Sequence, residues 1–140
     1  MTVDETRRVL GDYLDALLGG GDFAAYFADD VQWTTTETGE VISGADAVRD
    51  FITAFHTELF DASPEIGPTI CGDGVAALEA TFVGKHIAEF AGVAATGTQV
   101  RLPYSVFYEL DDGKITALRA YLPLSSLVEQ LRGADALPTR

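Results

Sequence analysis

Tyr13 and His86 are two polar side chains that combine useful chemistry with a core-facing position. Tyr13 lies on the apolar face of a predicted N-terminal helix, and His86 lies on the apolar face of a predicted strand. A phenol can donate a hydrogen bond to a carbonyl oxygen, and an imidazole can donate one or transfer a proton. Each also has a structural interpretation: Tyr13 as a core aromatic, and His86 as a side chain that holds the following loop through a backbone carbonyl or Glu89.

Other common kinds of reactive site find no support in the sequence. No cluster of His, Cys, Asp and Glu has the spacing of metal ligands. The glycines at 19–21 follow a predicted helix rather than precede one, so they do not predict a phosphate-binding loop. Cys71 is the single cysteine, which excludes an internal disulfide and favours a buried free thiol. We therefore expect no metal and no cofactor.

The charge of the chain restricts its partners. The formal net charge is −13, and Lys85 and Lys114 are the only lysines. This balance argues against nucleic acid, whose phosphates need clustered cations, and against anionic membranes. No apolar run approaches the ~20 residues of a membrane span, and no secretory signal is visible at the N-terminus. We expect a cytoplasmic protein.

The elements that must position Tyr13 and His86 follow an α+β order. The length of 140 residues predicts one domain, with residues 134–140 as a loose tail. The first predicted helix starts at a Thr2/Glu5 capping pattern and ends at 19–21, and a short helix follows at 23–27. Strands at 31–36 and 40–42 precede a second long helix that starts at Ser43/Asp46 and runs to Leu59. Strands at 75–86, 100–110 and 115–122 follow, and a helix from Ser126 to Gly133 comes last. Pro64, Gly67 and Pro68 predict a loop between the second long helix and the third strand.

Three segments resemble SnoaL-like polyketide cyclases. Residues 84–98, Gly-Lys-His-Ile-Ala-Glu-Phe-Ala-Gly-Val-Ala-Ala-Thr-Gly-Thr, resemble the Gly-x-His-x-Gly-Glu-Phe-x-Gly-x-x-x-Thr-Gly segment of that family. Residues 27–33 are similar to its helix-to-strand entry, and residues 112–115 to its last turn. The resemblance implies the NTF2-like cone: a curved, mostly antiparallel sheet wrapped around helices and an apolar pocket. It also implies a homodimer formed through the open sheet face.

The positions that usually carry acid–base chemistry in these enzymes are occupied by other residue types. Leu118, Arg119 and Ala120 match the family's His-Trp-Asp, whose Asp transfers protons in aldol ring closure. Thr35 and Val106 match the base and the oxyanion-binding acid of the related ketosteroid isomerases, and Tyr13 matches their carbonyl-polarising tyrosine. Leu, Val and Ala cannot transfer protons, and a threonine hydroxyl is far too weak a base near neutral pH. The resemblance thus implies the pocket without the usual catalysts.

The predicted site consequently has an apolar wall and two candidate catalytic residues, Tyr13 and His86. The predicted substrate-binding residues are Trp33, Thr35, Phe51, Phe55, Phe82, Tyr104, Val106, Leu118 and Ala120. His56 is expected at the boundary with solvent. An open cavity of roughly 300 Å³ or more is expected if the pocket holds a small molecule.

The expected function is a polyketide-type cyclase that closes a ring in a flexible apolar substrate mainly by shape and desolvation. A [4+2] cycloaddition tolerates such a pocket best, with Tyr13 or His86 as one hydrogen-bond donor. Two alternatives stay open. The protein could be a non-catalytic carrier of small molecules, or an aldol or isomerase-type enzyme whose acid or base has moved to Glu37 or His86.

Overall fold

A computed structural model describes residues 1–136 as helices packed on one curved, seven-stranded sheet, and it confirms the predicted α+β fold class. The helices are α1 (Val3–Leu18), a 3-10 turn (Phe23–Tyr26), α2 (Ala45–Thr53), a π-helical segment (Ala54–Leu59) and α3 (Leu124–Ala136). The strands are β1 (Phe27–Thr35), β2 (Glu40–Ser43), β3 (Phe60–Ala62), β4 (Glu65–Cys71), β5 (Val75–His86), β6 (Gln99–Asp111) and β7 (Lys114–Tyr121).

The sheet has the order β2-β1-β7-β6-β5-β3, and β4 also pairs with β5. Every pairing is antiparallel except that of β1 with β7. The longest ladder joins β5 to β6, from Val75 opposite Glu109 to Lys85 opposite Gln99. Alternate residues of β5 from Ala76 to His86 are buried, as strand periodicity predicts, so His86 lies on the inner face.

The first helix forms as the sequence predicts. The Thr2 hydroxyl accepts a hydrogen bond from the backbone N–H of Glu5 (3.1 Å), and Gly19 ends the helix. The helix buries Leu10 and Tyr13 against the sheet because they share its apolar face. Tyr13 is therefore held by core packing, with its ring 5.5 Å from that of Phe27.

The second long helix differs from the prediction at both ends. Its N-cap is Gly44, whose φ of 100° suits glycine, and no side chain caps it, so the predicted cap at Ser43 is wrong. From Ala54 onward the helix widens into the π-helical segment Ala54–Leu59. Such insertions shift side chains around the helix axis and often lie at functional sites.

Two further sequence predictions are corrected in the second half of the fold. The stretch predicted as a loop contains β4, and its pairing with β5 shifts between Ile66 and Thr69, where Gly67 and Pro68 form an irregularity. The last helix starts at Leu124 and continues past Gly133 to Ala136, which places part of the predicted tail in helix. The remainder of that predicted tail, 137–140, lies outside the described residues.

The apolar side chains form two clusters on the inner sheet face. One lies under α1 and α2, and the other lies between the far end of the sheet, α3 and the loop that follows His86. Within residues 1–136, no helix is long and apolar enough to cross a membrane.

Candidate active site

An apolar cavity of about 60 Å³ lies between α1, the π-helical segment and the inner face of the sheet. Nine of the eleven predicted site residues line it: Tyr13, Trp33, Phe51, Phe55, Phe82, Tyr104, Val106, Leu118 and Ala120. The sequence interpretation missed five further lining residues: Leu17, Ile52, His56, Tyr108 and Leu122.

Thr35 lies outside the lining, although the site prediction included it. Its side chain is buried, and its hydroxyl accepts a hydrogen bond from the indole N–H of Trp33 (2.9 Å). This contact fixes the Trp33 ring at the cavity wall, where it packs 5.1 Å from the Phe51 ring. Thr35 thus orients a wall residue and does not itself line the cavity.

His86 also lies outside the lining and holds a loop. It is fully buried, and its Nδ1 accepts a hydrogen bond from the backbone N–H of Thr96 (3.1 Å) and lies 3.0 Å from the Thr96 hydroxyl. This is the loop-holding interpretation with Thr96 rather than Glu89 as the partner. Because Nδ1 accepts, the neutral ring carries its proton on Nε2, which has no partner among the described residues.

Three phenols converge on the mostly apolar cavity. Tyr13 comes from α1, and Tyr104 and Tyr108 come from β6; the rings of Tyr13 and Tyr108 are 6.1 Å apart. Burial raises the pKa of Tyr104 to about 12. Burial also raises the pKa values of Tyr13 and Tyr108, and the neighbouring phenols make smaller contributions there. No hydrogen bond to a described residue contributes to these shifts. The hydroxyls are therefore protonated donors at neutral pH.

His56 is the other ionisable lining residue, and its half-buried ring agrees with the expected place at the boundary with solvent. Its ring is half-buried, 5.9 Å from the Phe82 ring, and its Nδ1 lies 2.8 Å from the backbone oxygen of Ile52. Since a carbonyl oxygen can only accept, Nδ1 carries the proton and Nε2 keeps its lone pair. Desolvation lowers the pKa of His56, and the bond to Ile52 opposes this only in part. His56 follows core-facing Ile52 by four residues, and this helical spacing is the sequence feature that indicates a position on the cavity wall. The site prediction did not use this spacing.

A second, outer cleft of about 340 Å³ adjoins the inner cavity. The two share Leu17, Ile52 and His56, which form their common wall. The outer cleft is otherwise bordered by the glycine turn after α1 and by residues 62–64. His56 is thus the one ionisable residue that lines both spaces.

Glu37 does not reach the cavity. It is exposed, and its carboxylate accepts hydrogen bonds from the backbone N–H and the hydroxyl of Ser125 at the start of α3. The carboxylate therefore stabilises a helix N-terminus, which corrects the alternative that made Glu37 a relocated base. In the described part of the chain, no group of three or more His, Cys, Asp or Glu side chains could hold a metal ion.

Comparison with known proteins identifies the family. Residues 12–118 match the SnoaL-like domain. The chain belongs to the SnoaL-like family. No curated protein sequence matches this SnoaL-like chain.

Solved structures share its NTF2-like fold over most of their length. A candidate SnoaL-like polyketide cyclase from Jannaschia sp. CCS1 has a TM-score of 0.83 and 16% identity, covering 96% of this chain and 94% of its own. A candidate polyketide cyclase from Pseudomonas putida KT2440 has a TM-score of 0.78 and 26% identity, with coverage of 94% and 98%. A candidate ketosteroid isomerase from Kribbella flavida DSM 17836 has a TM-score of 0.68 and 23% identity, with coverage of 86% and 79%. The fold is thus common to proteins named for different reactions.

Proposed function

We propose that this SnoaL-like protein is a cyclase that encloses a small, apolar, carbonyl-bearing substrate and closes a ring in it. The observation that carries the proposal is the convergence of Tyr13, Tyr104 and Tyr108 on a mostly apolar cavity. Three protonated phenols at one place match a carbonyl oxygen that gains negative charge during a reaction. Neither a purely apolar ligand nor a cation would use these donors.

The physical basis of rate acceleration is desolvation together with orientation. Hydrogen bonds to a developing oxyanion strengthen when water is excluded, and one such donor is worth about 10²-fold or more in rate. Holding two reacting carbons in contact contributes up to roughly 7–11 kcal/mol in favourable cases. The aromatic wall of Trp33, Phe51 and Phe55 supplies the surface that would hold an apolar chain folded.

The size of the site restricts the substrate. The inner cavity, about 60 Å³, is well below the ~300 Å³ of ordinary ligand pockets, whereas the outer cleft of about 340 Å³ is within that range. We infer that the carbonyl end occupies the inner cavity and that the remainder of the substrate extends past Leu17, Ile52 and His56 into the cleft. One form of this proposal is a [4+2] cycloaddition, in which one phenol donates a hydrogen bond and no base is needed.

Heptane-2,6-dione provides a direct test, because its aldol ring closure followed by loss of water gives a conjugated enone that absorbs in the ultraviolet. We expect the protein to accelerate this closure and Tyr13→Phe to slow it about 10- to 100-fold, since one donor is lost. Tyr26→Phe is the matched control, because Tyr26 packs on the same core without lining the cavity, and its rate should equal that of the unaltered protein.

The outcome that would contradict catalysis is binding without turnover. If 4-nitrophenolate, a stable oxyanion probe, binds with Tyr13-dependent affinity while heptane-2,6-dione, longer diketones and a linked diene–dienophile all remain unchanged, the protein is a carrier. If the probe does not bind, the phenol cluster is ordinary core packing.

We also propose that the protein is a cytoplasmic homodimer that pairs through the outer sheet face. Tyr121 is 52% exposed at the end of β7, opposite the inward-facing Ala120, and thus offers apolar surface there. Sedimentation analysis of the unaltered protein and of Tyr121→Glu tests this: the first should sediment as a dimer and the second as a monomer.

A further inference from the structure

The position of His56 sets it apart from the other polar residues of the site. It lies on the π-helical segment and lines both the inner cavity and the outer cleft, between Leu17 of α1 and Ile52 of α2. A substrate that extends from one space into the other must pass its imidazole. The phenols, in contrast, contact only the inner cavity.

The hydrogen bond of His56 selects the tautomer that can accept a proton. Nδ1 donates to the Ile52 carbonyl at 2.8 Å, which leaves the Nε2 lone pair unused by that bond. The same bond, together with the edge-on contact with the Phe82 ring at 5.9 Å, restricts the rotation of the imidazole. A fixed orientation and a free lone pair are what a general base requires.

The surroundings of His56 keep it neutral. The ionisable groups that share its cavity are the three phenols, which are uncharged at neutral pH. From the cleft side the polar neighbours are the hydroxyls of Thr53, Thr57 and Ser63, and on its own segment Glu58 is exposed. No charged group contributes to the lowered pKa of His56, which desolvation causes. The imidazole is therefore available as a base at neutral pH.

We propose that His56 is the general base of the site and removes a proton from the carbon next to the carbonyl group that the phenols bind. This inference rests on the proposed function and gives it a proton-transfer step. It replaces the cycloaddition as the preferred ring closure and narrows the substrate class to dicarbonyl compounds with an acidic C–H group.

The step is balanced without a further reactant. Nε2 of His56 takes the proton, the C–H electron pair becomes the C=C bond of an enolate, and the carbonyl π electrons move to the oxygen bound by the phenols. The enolate carbon then forms a C–C bond to a second carbonyl carbon of the same substrate. The imidazolium returns its proton to the new alkoxide oxygen.

5-Nitrobenzisoxazole tests the base without knowledge of the natural substrate. A base removes its C3 proton, the N–O bond breaks, and a coloured phenolate forms. We expect the unaltered protein to catalyse this opening and His56→Asn to lower kcat/KM about 100-fold. The asparagine amide can still donate to the Ile52 carbonyl, so the variant removes the free lone pair while it retains the local hydrogen bond.

The pH dependence separates a base from a structural residue. With the unaltered protein, kcat/KM should rise with pH while His56 loses its proton and should level off near neutrality, because the lowered pKa of His56 completes the titration there. With His56→Asn the remaining rate should show no such acidic limb. Free imidazole added to His56→Ala should restore part of the rate.

The failure of this inference can be distinguished from failure of the proposed function. If His56→Asn keeps the rate and the acidic limb while Tyr13→Phe still weakens 4-nitrophenolate binding, His56 is not the base and the phenol site stands. Nitrogen-15 NMR gives a second readout, since the chain has two histidines. A proton on Nε2 of His56 in the neutral protein would also overturn the proposal.

Discussion

The π-helical segment Ala54–Leu59 and the segment 84–98, which joins the end of β5 to the following loop, each carry one of the two histidines. The two rings have opposite hydrogen-bonding roles. His56, which lines the cavity, donates from Nδ1 to Ile52 and keeps an unprotonated Nε2, whereas His86 accepts at Nδ1 from Thr96 and has its Nε2 proton buried. The recognisable sequence motif surrounds His86, which builds structure. The geometry that we propose for proton transfer surrounds His56, to which no motif points. In this chain the family signature therefore marks a segment that stabilises the fold, and the proposed base lies on a different element.

The largest expected effect is the loss of stability when His86 is truncated. His86→Ala removes a fully buried ring packed 5.4 Å from that of Phe60 and leaves the Thr96 N–H without its acceptor. A cavity and an unsatisfied buried donor together cost about 3 kcal/mol. Urea unfolding should show a decrease of this size, whereas His56→Ala should lose less because that ring is only half-buried. Equal losses of stability in His86→Ala and His56→Ala would mean that His86 has no greater structural role than His56.

The next effect tests how tightly the start of the 84–98 segment is packed. A Cβ at Gly84 would approach Ala62 Cβ to 3.2 Å and Phe60 Cβ to 3.3 Å, so Gly84→Ala should destabilise by about 1–2 kcal/mol. Gly11→Ala is the matched control, because it meets no atom within 4 Å and lies inside α1. It should stabilise by up to about 1 kcal/mol. If Gly84→Ala also raises the free energy of unfolding in urea, the close approach of β3 to β5 does not exclude a side chain at residue 84.

A smaller effect on stability is expected at the cavity. Tyr13→Phe removes a hydroxyl to which no described residue contributes a hydrogen bond, so the free energy of unfolding should change by less than about 0.5 kcal/mol. The affinity for 4-nitrophenolate should nevertheless fall about tenfold, which corresponds to about 1.4 kcal/mol. Isothermal titration together with urea unfolding measures both values. A large loss of stability with unchanged affinity would assign Tyr13 to the core instead.

The sequence was sufficient for most of the fold because its signals are local. The Thr2/Glu5 cap, the alternation of β5 and the turn before Lys114 each depend on neighbouring residues, and the structure has all three. The strand β4 was missed because Gly67 and Pro68 oppose strand formation locally, while pairing with β5 stabilises it across the sheet. Such tertiary compensation is not visible in a propensity argument.

The site was predictable in its walls and less so in its chemistry. Strand alternation predicted the lining residues of the sheet, because the inner face of a sheet follows from period two, and helical spacing predicted Tyr13, Phe51 and Phe55. His56 was not among the predicted site residues because its place on the cavity wall depends on the Ile52 carbonyl and on the shift to π geometry at Ala54. Thr35 was misplaced because a hydroxyl can satisfy a neighbouring indole instead of facing a cavity.

The smallest expected effect is a difference in the pH dependence of stability between the unaltered protein and His56→Asn. Burial lowers the pKa of His56 below its ordinary 6.5, so in the range from that folded pKa up to 6.5 the unfolded chain binds more protons than the folded chain. The free energy of unfolding therefore rises with pH through this range and gains nothing further from His56 above it.

Urea unfolding at pH 5 and pH 7 measures this contribution when both proteins are compared. His86 and all carboxylates are present in both proteins, so their effects cancel in the difference. The unaltered protein should lose more stability on acidification than His56→Asn does. Equal losses would mean that protonated His56 reaches solvent without cost, and the imidazole would then be too well hydrated at the cleft to serve as the desolvated base.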